Sequence, residues 1–124
     1  MSVIGVDIIE MDRIEKAIRR HGDRFINYVY SKDEQALAQK KKSPITFWAG
    51  RWAAKEAVYK VLSANLDLGI AWTDIEILSK ESGAPYVHLK GKAKDQAQKL
   101  GIQTVHVSIS HCKSHAVANA FIEK

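Results

Sequence analysis

Two carboxylates and a lysine stand out because of their surroundings. Glu56 lies in FWAGRWAAKEAVYKVL, Phe47 to Leu62, which reads as a helix apolar almost all the way round. Such a helix is normally buried, and a buried carboxylate needs a paired cation, a metal ion or a proton. Lys60 follows one turn later on the same side, so a helix salt bridge would meet that need. The second acid, Asp7, interrupts the apolar run VIGVDII near the N-terminus. Alone, an acid near a strand end is most often a turn cap, but it can also be a ligand or a catalytic acid. If that strand packs on the helix, Asp7 and Glu56 meet, and two carboxylates repel unless something positive lies between them. Magnesium would serve, because it takes oxygen ligands and is often held by one or two carboxylates, with phosphates and waters completing its shell. Periodicity leaves the salt bridge and the metal both open.

The other chemical patterns are weaker. His111-Cys112-x-x-His115 offers three ligands in one turn without a second cysteine, too few for a structural zinc site. Adjacent residues such as His111 and Cys112 rarely point at one another, which weakens a thiol-nucleophile reading. The chain has neither a Walker loop nor a G-x-G-x-x-G turn.

The elements that must position these residues can be read in order. Val3 to Ile9 alternates as a strand, with Val3, Gly5, Asp7 and Ile9 on one face and Ile4, Val6 and Ile8 on the other. Apolar residues on both faces predict a strand covered on both sides. Asp12 and Glu15 have the spacing of a capping box opening a helix that Gly22 ends. Ile14, Ala17 and Ile18 form its apolar stripe, while Arg13, Lys16 and Arg20 align on another face, as a solvated row or a docking surface. Arg24 to Tyr30 is short, aromatic and apolar. Ser31 to Glu34 is a second capping box, opening a helix through about Gln39, and gives Glu34 a structural reason to exist. Lys40, Lys41 and Lys42 read as a solvated loop or a phosphate contact. Pro44 suits the first turn of the long central helix, which is expected to have ended by Asn65 to Gly69. Asp74 to Leu78 and Tyr86 to Leu89 form a hairpin across Ser82-Gly83-Ala84-Pro85. Lys92 to Leu100 is a helix. Val105 to Ser110 is a strand with Val105, Val107 and Ile109 on one face, and His106, Ser108 and Ser110 on the other. Ala116 to Ile122 is the last strand. The order β-α-α-α-β-β-α-β-β predicts an α+β fold, a mostly antiparallel sheet packed on a long central helix.

At 124 residues the chain is expected to be one domain, residues 1–124, and 46% hydrophobic residues suffice for a core. No apolar run is long enough to span a membrane, and the N-terminus lacks the pattern of a signal peptide. The single cysteine precludes an internal disulfide. These features predict a cytoplasmic protein. A net charge of +5 favours an acidic partner: nucleic acid, a phosphorylated small molecule or an acidic protein.

Three segments in order, GVDIIEMDRI, AGRWAAKEAVYKVL and VHVSISH, resemble the signature segments of the holo-acyl-carrier-protein synthases, the small bacterial branch of the 4'-phosphopantetheinyl transferases. The similarity covers nearly the whole chain. One departure follows the central helix, where a glycine-rich turn is common in the family and this chain reads Ser63-Ala64-Asn65-Leu66-Asp67-Leu68-Gly69. The resemblance implies transfer of 4'-phosphopantetheine from coenzyme A to a serine of apo-acyl carrier protein, with release of adenosine 3',5'-bisphosphate. It implies magnesium on Asp7 and Glu56, and Lys60 at the diphosphate or the leaving oxygen. Ser110 and His111 fall in the coenzyme A site, with His106 as a further candidate and Lys41 and Lys42 for the 3'-phosphate. Lys60, Glu34 and His111 are the candidate catalytic residues. Glu34 is offered as the general base, although its capping box explains it equally well. Arg13, Lys16, Arg20 and Arg24 would dock the acidic carrier, and a homotrimer would place each site between subunits. The competing reading is a non-catalytic basic module binding RNA or an acidic protein. It leaves Glu56 unexplained and lacks an RNA-recognition aromatic signature, so no nucleic acid is expected.

Overall fold

The computed structural model describes residues 3–62 and 68–124. Its elements are β1 (Ile4–Glu10), α1 (Met11–His21), α2 (Asp23–Val29), α3 (Lys32–Gln39), α4 (Pro44–Val61), β2 (Ile75–Ser79), β3 (Pro85–Leu89), α5 (Gly91–Lys99), β4 (Thr104–His111) and β5 (His115–Glu123). A three-stranded sheet runs in the order β1-β5-β4 and a separate hairpin pairs β2 with β3, every pairing being antiparallel. This is the expected α+β arrangement on a long helix.

Small residues let the sheet and α4 come together. Ala116, Ala118 and Ala120 alternate along β5 onto the inner face, and Ala53, Ala54 and Ala57 face inward from α4, all without exposure. Trp48, Val58, Val61 and Leu62 extend this core. The central helix is thus buried as its composition predicts, and Pro44 begins it. It ends at Val61, within the expected limit. Residues 63–67, most of the departing turn, lie outside the described residues.

Local signals hold unevenly. The Ser31–Glu34 capping box forms in both directions: Ser31 Oγ accepts from the Glu34 N–H, and the Glu34 carboxylate accepts from the Ser31 N–H at 2.8 Å. The Asp12 box does not form. α1 starts at Met11, directly after β1, so Asp12 is inside the first turn, and Glu15 pairs instead with Arg19 at 2.7 Å. Gly22 ends α1 with a positive φ of 56°, a conformation glycine adopts without strain. Residues 23–29, expected only as a short apolar segment, form the additional helix α2.

The prediction for β1 needs the largest correction. Gly5 and Ile9 are buried against α4, but Ile4, Val6 and Ile8 are 60%, 52% and 63% exposed. Nothing among the described residues covers that outer face.

Candidate active site

Asp7 sits mid-strand in β1, opposite Ala118 of β5, rather than at a strand end. As an inner-face residue it points towards α4. Its side chain is only 12% exposed, and Oδ1 lies 3.3 Å from Lys60 Nζ. Its Oδ2 is buried and has no hydrogen-bond partner among the described residues. Lys60 also donates to the Val6 carbonyl at 2.8 Å. The lysine therefore pairs with the strand, not with Glu56 as the helical spacing suggested.

Glu56 faces the same spot from α4. Its carboxyl is pushed up to about 7, by burial first and then by the carboxylate of the facing Asp7. Lys60 and Arg13 pull the other way without offsetting these effects. Two carboxylates forced together, one with an unpartnered buried oxygen, form a site short of positive charge. No cluster of three or more His, Cys, Asp or Glu suited to a metal occurs among the described residues. A pair of carboxylates suits a hard cation that keeps waters or substrate phosphates in its shell, as magnesium does.

A second group of residues lines a cavity of about 480 Å³ where the start of α4 meets the end of β4: Lys41, Lys42, Thr46, Arg51 and His111 are among them. Arg51 was not singled out in the sequence. Its guanidinium lies over the Phe47 ring at 4.4 Å and donates to the Ile77 carbonyl at 3.1 Å and to Ser79 Oγ at 2.7 Å. It is thereby fixed in orientation, and burial lowers its pKa, although Glu34 opposes that. The only signal in the sequence was its place one turn before Lys55 and Glu56. An adjoining cavity of about 580 Å³ shares Ser43, Thr46 and His111 and adds Cys112 and Lys113. Cys112 is exposed, and its thiol is lowered to about 7, first by the Ser114 hydroxyl and then by backbone N–H groups of Ser114 and His115. Asp7, Glu56 and Lys60 line neither cavity.

The remaining candidates separate. Ser110 and His106 are exposed on the outer face of the sheet, whereas their neighbours Ile109 and His111 line the cavity. His106 meets Glu123 at 2.8 Å and lies beside Phe121. Glu34 has no exposure. Its Oε1 meets Lys55 Nζ at 2.8 Å, and its Oε2 accepts the Ile77 N–H at 2.8 Å. Burial raises its pKa against the pull of Lys55. Both oxygens of this buried carboxylate are engaged, which supports the structural reading of Glu34 over the general-base one. Arg13, Lys16 and Arg20 do share a hollow of about 610 Å³ on α1, and Arg24 lines its own with Phe25 and Tyr28. The charge of Arg13 also reaches Glu56.

The chain and its α+β fold have counterparts among known proteins. A family model described as the 4'-phosphopantetheinyl transferase superfamily matches residues 3–120, and the chain belongs to that superfamily. The holo-[acyl-carrier-protein] synthase of Natranaerobius thermophilus is 42% identical over 96% of this chain and 94% of its own length. Among solved structures, the Helicobacter pylori holo-[acyl-carrier-protein] synthase in complex with coenzyme A superposes with a TM-score of 0.82 at 32% identity, covering 97% of this chain and 99% of that one. The Bacillus anthracis enzyme in complex with coenzyme A (3',5'-ADP) gives 0.79 at 33% identity over 98% and 95%. The resemblance read from the three segments is thereby upheld, and the chain is a transferase of the holo-[acyl-carrier-protein] synthase kind.

Proposed function

We propose that this protein transfers 4'-phosphopantetheine from coenzyme A to a serine of apo-acyl carrier protein, with magnesium held by Asp7 and Glu56. The observation carrying this reading is the pair itself: the Asp7 oxygen without a partner and the raised Glu56 carboxyl fit a divalent cation. When bound, magnesium would neutralise charge on the coenzyme A diphosphate. The serine oxygen forms a bond to the phosphorus carrying the pantetheine arm, and the bond to the bridging oxygen breaks. The leaving group is adenosine 3',5'-bisphosphate, and the serine proton passes to solvent. Lys60 has its ammonium at Asp7, half-exposed, where it can meet the diphosphate or the leaving oxygen. Lys41, Lys42, Arg51 and His111 supply donors for the 3'-phosphate end. The α1 row, Arg13, Lys16 and Arg20, meets the acidic carrier, and complementary charge raises the encounter rate.

The reading includes a cytoplasmic homotrimer formed by residues 1–124 as one transferase domain. The outer face of β1 and β5 exposes Ile4, Val6, Ile8 and Phe121 side by side, an apolar patch of the kind that marks an interface. Because one chain's basic cavity lacks Asp7, Glu56 and Lys60, a neighbouring copy is the natural source of one half of the site.

Mass spectrometry tests the reaction. Incubation of apo-acyl carrier protein with this protein, coenzyme A and magnesium is expected to add about 340 Da, the mass of one phosphopantetheine arm. EDTA should abolish the gain. No gain with any divalent metal would overturn the proposal.

A further inference from the structure

Gly5 is buried in β1, two residues before Asp7 on the same face. Its φ is not among the positive values found at other glycines of the chain, so the backbone there does not itself demand glycine. Space does. A Cβ at residue 5 would overlap the carbonyl oxygen of Ala57 and come within 3.0 Å of Val61 Cγ1. The first of these is α4 backbone and cannot turn aside. β1 therefore lies directly on the helix main chain, at the carbonyl of the residue that follows Glu56.

Three contacts interlock at this crossing. Gly5 rests on Ala57, the Val6 carbonyl accepts from Lys60, and Asp7 faces Glu56 and Lys60. The neighbouring strand matches the close approach, since Ala118, opposite Asp7, and Ala120, opposite Gly5, are both fully buried alanines. From this geometry we infer that the missing side chain at residue 5 is a positioning element for the cation site. It sets the distance between strand and helix at which the Asp7 and Glu56 carboxylates can hold one ion. The inference rests on the metal assignment proposed above and adds Gly5 as a residue that acts through Asp7 and Glu56 without touching the ion.

The test is Gly5→Ala, read by calorimetric titration with manganese or magnesium alone and by turnover. The variant is expected to keep its circular dichroism spectrum, to bind metal at least tenfold more weakly, and to leave KM for the carrier protein unchanged. Adding Asp7→Glu to it lengthens the reach of the strand carboxylate. The double variant should recover part of the lost affinity, although Asp7→Glu alone weakens binding. Val105→Ala, a core truncation on β4, serves as the packing control and should lower the melting temperature without altering metal affinity. If Gly5→Ala does not fold, Gly5→Ala with Val61→Ala removes one of the two crowded contacts and takes its place. Unaltered metal binding in a folded Gly5→Ala variant would overturn the positioning role. So would failure of both variants to fold, which would make Gly5 a general folding requirement. Metal binding that survives Asp7→Ala would instead remove the underlying metal assignment, so the two failures are distinguishable.

Discussion

Glu34 and Lys55 form an ion pair 2.8 Å across in which both side chains are wholly out of solvent. The Lys55 ammonium spends its other two protons on the carbonyls of Trp72 and Ile75, at 2.8 and 2.5 Å. Every donor of the ammonium is thus used, and the pair ties α3, α4 and the approach to β2 together. Burial lowers the Lys55 pKa, and Glu34 opposes that. Lys55→Met is expected to destabilise the protein by about 3–5 kcal/mol, because it leaves the Glu34 carboxylate buried without its counter-ion. Replacing both as Glu34→Leu with Lys55→Met should cost clearly less than the sum of the two single changes, since no orphan charge remains. Urea unfolding measures this, and additive losses would contradict a coupled pair.

Lys60 is the converse case. Its side chain is 54% exposed, and its partner Asp7 is nearly covered. An ion pair with one solvated end contributes little to stability, about 1 kcal/mol or less. Lys60→Ala should therefore unfold at nearly the urea concentration of the parent. The role proposed for it at the diphosphate instead predicts a fall in kcat/KM of about 10²–10³-fold, the range found when one donor to developing charge is removed. A large stability loss with turnover intact would reverse the assignment.

What the sequence disclosed follows from how far each signal reaches. The box at Ser31 and Glu34 was legible because its partners lie three residues apart. The same spacing at Asp12 misled, because β1 runs straight into α1 and leaves no room for a cap at residue 12. Seven residues of α2 are too few to show a helical period. The meeting of Asp7 with Glu56 could be anticipated from two out-of-place acids in apolar segments. The choice of Lys60 for Asp7 could not, because the helical spacing offered Glu56 first. Lys55 escaped notice because it stands beside Glu56, and a Lys-Glu doublet does not reveal which member faces the core. The residue expected to carry the buried charge, Glu56, is only partly buried, and the fully buried pair lies on another side of the helix.

The exposed face of β1 carries a prediction about assembly. Ile8 is 63% exposed beside Val117 of β5, and Ile4 faces Phe121 across the same two strands. Ile8→Glu places a charge where a second copy would sit, and a buried unpaired charge is costly. Light scattering after gel filtration should show a trimer for the parent and a monomer for the variant. Turnover should fall with the trimer, while the circular dichroism spectrum is retained. A parent protein that is monomeric at micromolar concentration and fully active would remove the shared-site reading.

Glu76 supplies a dependence on acidity. It lies in β2 with its side chain 3% exposed, accepts from Ser31 Oγ at 2.5 Å and meets His88 Nδ1 at 2.8 Å, with Lys90 at 3.7 Å. Burial by itself would raise its pKa, but the hydrogen bonds of Ser31 and His88 and the charges of Lys90 and His88 outweigh burial and lower it. A carboxyl lowered by folding binds fewer protons in the folded state than in the unfolded chain. Its contribution is therefore complete above the unfolded value, about 4.3, and is lost as the pH falls through the folded value. Glu76→Gln should reduce stability at about pH 6 and flatten the decline on acidification. Unfolding free energies at about pH 6 and about pH 3.5 should thus lie closer together in the variant than in the parent. Parallel pH profiles would show that the link from α3 to the β2–β3 hairpin does not depend on the Glu76 charge.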